Sequence, residues 1–145
     1  MKLETVLLEM NERIIERMGE IVARTAISLS RGIDQKTPVD TGRLRANWQC
    51  GIGSYSTGTT FSTTGTLTEK TSSAMSSWRL GDTVYLTNSL PYAHIVEFGL
   101  YGKPPGSANG PKTVAGYSRQ APGGMVRLTA QKFPDYVRRA VAETK

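Results

Sequence analysis

Apolar residues return every three or four positions over residues 3–31. Leu7, Met10, Ile14, Met18 and Ile21 form one stripe, flanked by Leu3, Val6, Val22, Ala26 and Leu29. That spacing predicts a single long amphipathic helix, with Gly32 as its stop. Charges fill the opposite face: Glu9/Arg13 and Glu20/Arg24 attract at helical spacing, whereas Glu16/Glu20 repel. So long a stripe exceeds what the rest of a small domain can cover. It either packs across a sheet, which is the default expectation, or also meets a neighbouring subunit.

The pattern then changes period. Pro38 and Asp40-Thr41-Gly42 punctuate the chain, with Asp40 or Thr41 able to cap a short turn through a side-chain oxygen. Alternation over 46–52 predicts a strand that puts Trp48, Cys50 and Ile52 on one face. Residues 53–73 are mostly Ser, Thr and Gly, with Tyr55, Phe61 and Leu67 as isolated apolar points. So little apolar surface predicts a flexible arm that pairs with a partner on assembly. A short helix is expected over 74–80, a strand over 83–88 with Val84 and Leu86 inward, and a helix over 91–98 opened by Pro91 and closed by Gly99. Residues 100–118, rich in Gly and Pro, read as a loop. A last helix over 122–144 carries Met125, Leu128, Thr129, Phe133, Tyr136, Val137, Ala140 and Val141 on its apolar side. Pro134 either kinks or restarts it. The elements amount to a single domain of helices and strands.

Composition narrows the setting. The chain has 145 residues and 38% hydrophobic content, so its core is lean and partners are expected to complete the burial. One cysteine, Cys50, excludes an internal disulfide and fits a reducing compartment. Glu4, Glu9 and Glu12 make the N-terminus a poor secretory signal, and no apolar run approaches membrane-spanning length, so a soluble cytoplasmic product is expected. Residues 1–31 carry five basic and five acidic side chains, and residues 32–99 again five of each. Residues 100–145 carry eight basic against two acidic, so the whole net charge of +6 lies in the last third. That asymmetry reads either as a surface meeting an acidic protein or DNA, or as a solvated helix face.

No catalytic pattern survives inspection. Gly106–Thr113 lacks the phosphate-loop spacing: three residues separate its glycines where four are needed, and Pro111 removes an amide. Cys50 and His94, the only residues of their types, have no activating neighbour in the pattern, which leaves a hydrolase reading without support. His94 with Glu97 or Asp82 gives no closed metal set, and no cofactor is implied. Glu97 is either a surface glutamate or the partner of Arg43 or Arg119. Arg138 and Arg139 share a helix with Lys132, but no nucleic-acid-binding motif accompanies them.

Four phrases carry a resemblance: Thr37-Pro38-Val39-Asp40-Thr41-Gly42-Arg43-Leu44-Arg45; Asn47-Trp48-Gln49; Leu90-Pro91-Tyr92 running into Glu97-Phe98-Gly99; and Gln120-Ala121-Pro122 leading into Gly124-Met125-Val126-Arg127. In this order they resemble the neck and tail-completion proteins of long-tailed phages, the group that includes the minor tail protein Z of lambda-like phages. The resemblance implies an α+β fold, with a long N-terminal amphipathic helix packed on a small antiparallel sheet and a C-terminal helix, and a structural virion protein rather than an enzyme. It also implies a homo-oligomeric ring of about six copies at the head-proximal end of the tail, competent to join the filled head. Its implied partners are a tail terminator or tail tube protein and a head connector or stopper, with duplex DNA transiently in the lumen. The alternative is a basic DNA-binding module using the C-terminal third. Candidate interface residues are Asp40, Thr41, Arg43, Arg45, Tyr55, Phe61, Tyr92, Glu97, Lys103, Lys112, Arg119 and Gln120. The insertion of Leu100–Tyr117 between the third and fourth phrases departs from the family pattern.

Overall fold

The computed structural model describes residues 2–98, 113–114, 117–118 and 124–144. Helix α1 (Leu3–Lys36) runs for 34 residues and passes through the expected stop at Gly32. Gly32 lies buried where α1 crosses the C-terminal helices, and a Cβ there would approach Thr129 Cγ2 to 2.8 Å and the Tyr136 hydroxyl to 3.1 Å. The glycine is therefore a close-approach point, not a terminator. Termination falls instead at Thr37, held extended by the following Pro38. Its amide and hydroxyl both donate to the Ile33 carbonyl, at 2.9 and 2.7 Å.

One turn of helix, α2 (Arg43–Ala46), leads into β1 (Trp48–Ile52), which pairs antiparallel with β2 (Val84–Asn88). The register sets Cys50 opposite Leu86 and Trp48 opposite Asn88, so the apolar alternation faces one side as expected. Between the strands, residues 53–66 carry no helix or strand, and the chain then forms α3 (Leu67–Ala74) followed by a 3₁₀ turn at Met75–Ser77. The helix expected over 74–80 thus begins earlier, inside the stretch assigned to the arm. Its start is a capping box: the Thr66 hydroxyl accepts from the Glu69 amide, and the Glu69 carboxylate accepts from the Thr66 amide. Leu67 and Thr71 are fully buried.

Helix α4 (Ala93–Phe98) starts two residues after Pro91, which occupies the preceding turn instead of the first helical position. Within the expected loop, β3 (Thr113–Val114) and β4 (Tyr117–Ser118) pair antiparallel. The expected C-terminal helix is two helices, α5 (Arg127–Gln131) and α6 (Phe133–Glu143), broken at Lys132. Pro134 sits in the first turn of α6, where its missing amide hydrogen has no intrahelical partner to lose, so it restarts the helix.

The C-terminal half of α1 packs between α3 and α6. It joins the sheet in one core of Ile33, Leu44, Trp48, Leu67, Leu90, Ala93, Val96 and Met125. Arg24 bonds both Glu20 on its own helix and Glu143 at the end of α6, so α6 reaches back only as far as the middle of α1.

Candidate assembly interface

The phrases noted in the sequence are joints of the subunit frame. Thr37 Oγ1 accepts the Trp48 indole N–H at 2.9 Å, tying the end of α1 to β1. Asn47 is fully buried, and its amide is a bracket. Its Oδ1 accepts from the Thr60 amide at 2.8 Å, while Nδ2 donates to the Thr60 carbonyl at 3.0 Å and to the Arg43 carbonyl at 2.8 Å. Arg43 donates to the same Thr60 carbonyl at 3.3 Å and lies 4.6 Å from the Phe61 ring centroid, in cation–π range. The Ser/Thr/Gly segment is thus fastened to α2 at its centre, with Tyr55 also packed obliquely on Tyr85 at 5.7 Å.

Glu97 forms the second joint. It is buried, and its carboxylate accepts from the backbone amides of Met125, Val126 (3.0 Å) and Arg127 (3.1 Å) at the entrance to α5. Arg127 Nε donates to the same carboxylate at 3.3 Å, and an Arg127 terminal nitrogen donates to the Glu97 carbonyl. Burial alone raises the Glu97 pKa. The three amides and the guanidinium outweigh it, leaving the carboxyl below its ordinary value. Gly124 makes the approach feasible: its φ is +83°, and a Cβ would meet Glu97 Oε1 at 2.5 Å. Of the two expected partners, Arg43 is not used, because it belongs to the Thr60–Phe61 bracket. Arg119 lies outside the described residues.

Two side chains that the pattern had not singled out complete the frame. The Asp34 carboxylate accepts from the Leu67 and Thr68 amides at 2.9 and 2.8 Å and from the Thr68 hydroxyl at 2.6 Å, docking the start of α3 on α1. Lys70 Nζ donates to the carbonyls of Ala46 and Trp48. Partial burial lowers its pKa despite Asp34 and Glu69 nearby. A carboxylate three residues after Arg31 reads from sequence as surface charge; only the fold puts it at a helix start.

Burial raises the Cys50 thiol pKa, only partly offset by a hydrogen bond with Thr71, which disfavours the nucleophilic thiolate. Cys50 on β1 and His94 on α4 share no hydrogen bond among the described residues. No group of three or more metal-ligating side chains occurs among the described residues, and none of their helices is long and apolar enough to cross a membrane.

The remaining candidates are scattered over the surface. Asp40, Thr41, Tyr55, Phe61 and Tyr92 are exposed, Phe61 at 86%, while Arg43 and Arg45 are half-buried. Lys103, Lys112 and Gln120, like Arg119, fall outside the described residues. The largest exposed apolar surface was not among the candidates. It is the N-terminal half of α1, where Leu3, Leu7, Leu8, Met10, Ile14, Ile15 and Met18 are each between 39% and 73% exposed. Trp78 lies beside Gly19, 3.7 Å from where a Cβ would sit, and marks where the subunit body begins. The helical stripe, and that a small domain could not cover all of it, were legible in the sequence; which half would stay exposed was not.

Comparison with known proteins agrees with this architecture. No curated protein and no solved structure matches the chain. Residues 1–99 match the model of the HK97-gp10-like family of bacteriophage proteins, described as a candidate tail component. The match takes in the first three of the four phrases, and the Gly124–Arg127 phrase lies beyond it. The chain belongs to the HK97-gp10-like family, a family of tail components of tailed phages.

Proposed function

We propose that this tail component is a neck or tail-completion subunit, which forms a ring at the head-proximal end of the tail and makes it competent to join the filled head. The observation that carries the reading is the exposed apolar half of α1 on an otherwise well-braced body. A subunit with seven large apolar side chains exposed along one helix is suited to burying them against a neighbour. Repeated contacts between non-equivalent faces close into rings, which is the form a joint between two cylindrical structures requires. In this reading the subunit is assembled in the host cytoplasm and meets a tail terminator or tube protein on one side. It meets a head connector or stopper on the other. Asp40, Thr41, Arg45, Tyr55, Phe61 and Tyr92 are available at the surface for such contacts.

The test is the mass of the purified protein in solution, alone and mixed with tail tubes of its phage. A ring on the tubes, whether it forms beforehand or only on contact with them, supports the joint. A protein that ignores tubes would refute it.

A second reading is supported by the exposed Lys132, Arg138 and Arg139 on and beside α6: contact with duplex DNA by charge alone. Arg138 is already paired with Asp135 at 2.6 Å, which weakens that patch. Steep salt dependence of duplex retardation would favour it.

A further inference from the structure

The exposed stripe of α1 has a counterpart on the same subunit. Two adjoining hollows of about 340 and 390 Å³ share Leu29, Leu86 and Phe133 and form one open groove between α1, β2 and the C-terminal helices. Its walls also include Ile21, Val84 and Val137, and they are almost wholly apolar. No described residue fills it. The groove is a receptor for an apolar helix face, and the protein carries such a face.

That face cannot reach its own groove. Ile21 and Leu29 in the wall and Leu3 to Met18 in the stripe belong to one unbroken helix. A continuous helix cannot fold back on itself, so any α1 stripe seated in the groove comes from another copy. The stripe, Leu3 to Met18, is about 24 Å long at 1.5 Å per residue, long enough for helix-in-groove recognition through several anchors.

Charge supports the same pairing. Residues 3–18 contain Glu4, Glu9, Glu12 and Glu16 against Arg13 and Arg17, and none of these acids is in an ion pair among the described residues. At the groove, Lys36 lies one turn beyond Ile33, and Lys132 directly precedes Phe133; Ile33 and Phe133 are both wall residues. Neither lysine has an acidic partner among the described residues. Burial first, and then the nearby Lys132 charge, lowers the Lys36 pKa. Seated there, a helix of net negative charge with Glu4 at the edge of its stripe would lower the positive potential around both lysines.

We infer that the N-terminal half of α1 of one copy docks, by its Leu3–Leu7–Met10–Ile14 stripe, into the Leu86–Phe133 groove of the next copy. The contact is head-to-tail: each copy offers one helix and one groove, so the chain of contacts closes into a ring or runs on as a filament. The inference rests on the repeating-subunit reading above and supplies its contact.

Two full-length variants test it. Leu7→Glu/Ile14→Glu disables the helix at two exposed positions, and Phe133→Asp disables the groove at a half-exposed position. Circular dichroism checks that both fold. In sedimentation, each variant alone should be monomeric, with self-association weakened about thirtyfold or more. Their equimolar mixture should form a one-to-one dimer and stop, because only one intact helix meets one intact groove. If the groove variant self-associates like the wild type, the helices pair with each other and the docking is wrong. A wild-type chain that stays monomeric up to its solubility limit overturns it equally. Binding to tail tubes is scored separately. A wild type that associates as described but ignores tubes refutes the tail-joining reading and leaves the docking standing, whereas a monomeric wild type that still forms rings on tubes does the reverse.

Discussion

Glu97 and Arg127, thirty positions apart, hold each other twice: the Arg127 amide and Nε donate to the Glu97 carboxylate, and an Arg127 terminal nitrogen donates to the Glu97 carbonyl. The carboxylate also takes the amides of Met125 and Val126, so one side chain caps the start of α5 and fixes α4 against it. Two of the phrases that identify the family-like pattern in this sequence are therefore the two halves of one clasp.

Glu97→Ala leaves three amides at a buried site without an acceptor and should destabilise the subunit by about 2–3 kcal/mol, the range for hydrogen bonds to a charged group. Denaturant unfolding measures it. Because the folded-state pKa is depressed, the clasp's contribution is full above the ordinary value of 4.5. It declines as pH falls below that and is lost on passing through the folded pKa. Glu97→Gln should remove that acid-side slope while keeping part of the stability. An unchanged slope in Glu97→Gln would assign it to other carboxylates.

Gly32→Ala tests the reading of this glycine as a crossing point. In an exposed helix the change gains up to about 1 kcal/mol. Here the added methyl meets Thr129 Cγ2 at 2.8 Å, so stability should fall. Thr129→Ser removes that methyl, and the double variant should recover part of the loss, a coupling of about 0.5–1 kcal/mol between neighbours. Additive losses would show that α1 and α5 do not press on each other there.

Asn47→Ala should cost about 2 kcal/mol or more, because a buried amide with three hydrogen bonds is removed. Phe61→Ala, at an exposed ring, should change stability by less than about 1 kcal/mol. The proposed assembly role predicts that Phe61→Ala nevertheless lowers head–tail joining. Deleting 57–66 removes the Thr60 partners of Asn47 and should therefore lower thermal stability as well as joining, so the point substitution is the cleaner probe.

Cys50 should alkylate slowly at neutral pH, because burial holds its pKa above the ordinary value of 9.0. The rate should rise as pH passes that value. Cys50→Ala and His94→Ala should both leave joining intact. Loss of joining by either variant with its fold retained would reopen a chemical role.

The pattern of apolar positions was enough to determine the long first helix, the Trp48–Cys50–Ile52 strand face and the strand carrying Val84 and Leu86. These follow from periodicity, which depends only on local geometry. Composition misled over Leu67–Ser73. A run of Ser and Thr there reads as flexible, yet Thr66, Glu69 and Asp34 together satisfy the amides that start α3, and Leu67 anchors it in the core. The local capping box could have been read from Thr66-Leu67-Thr68-Glu69; the Asp34 contribution could not, since it arrives from 33 residues away.

What only the tertiary structure decided were the partners. The sequence offered Glu97 Arg43 or Arg119, and the fold brings Arg127 to it instead of Arg43. Gly32 had the form of a helix stop and became a helix crossing once Thr129 and Tyr136 lay against it. The stripe on α1 was too long for a small domain to cover, but the pattern did not say which part would be left. The body covers only the half that α3, α5 and α6 can reach, and the first half stays exposed. A sequence pattern specifies which face of an element is apolar; which part of that face is covered depends on where the other elements end.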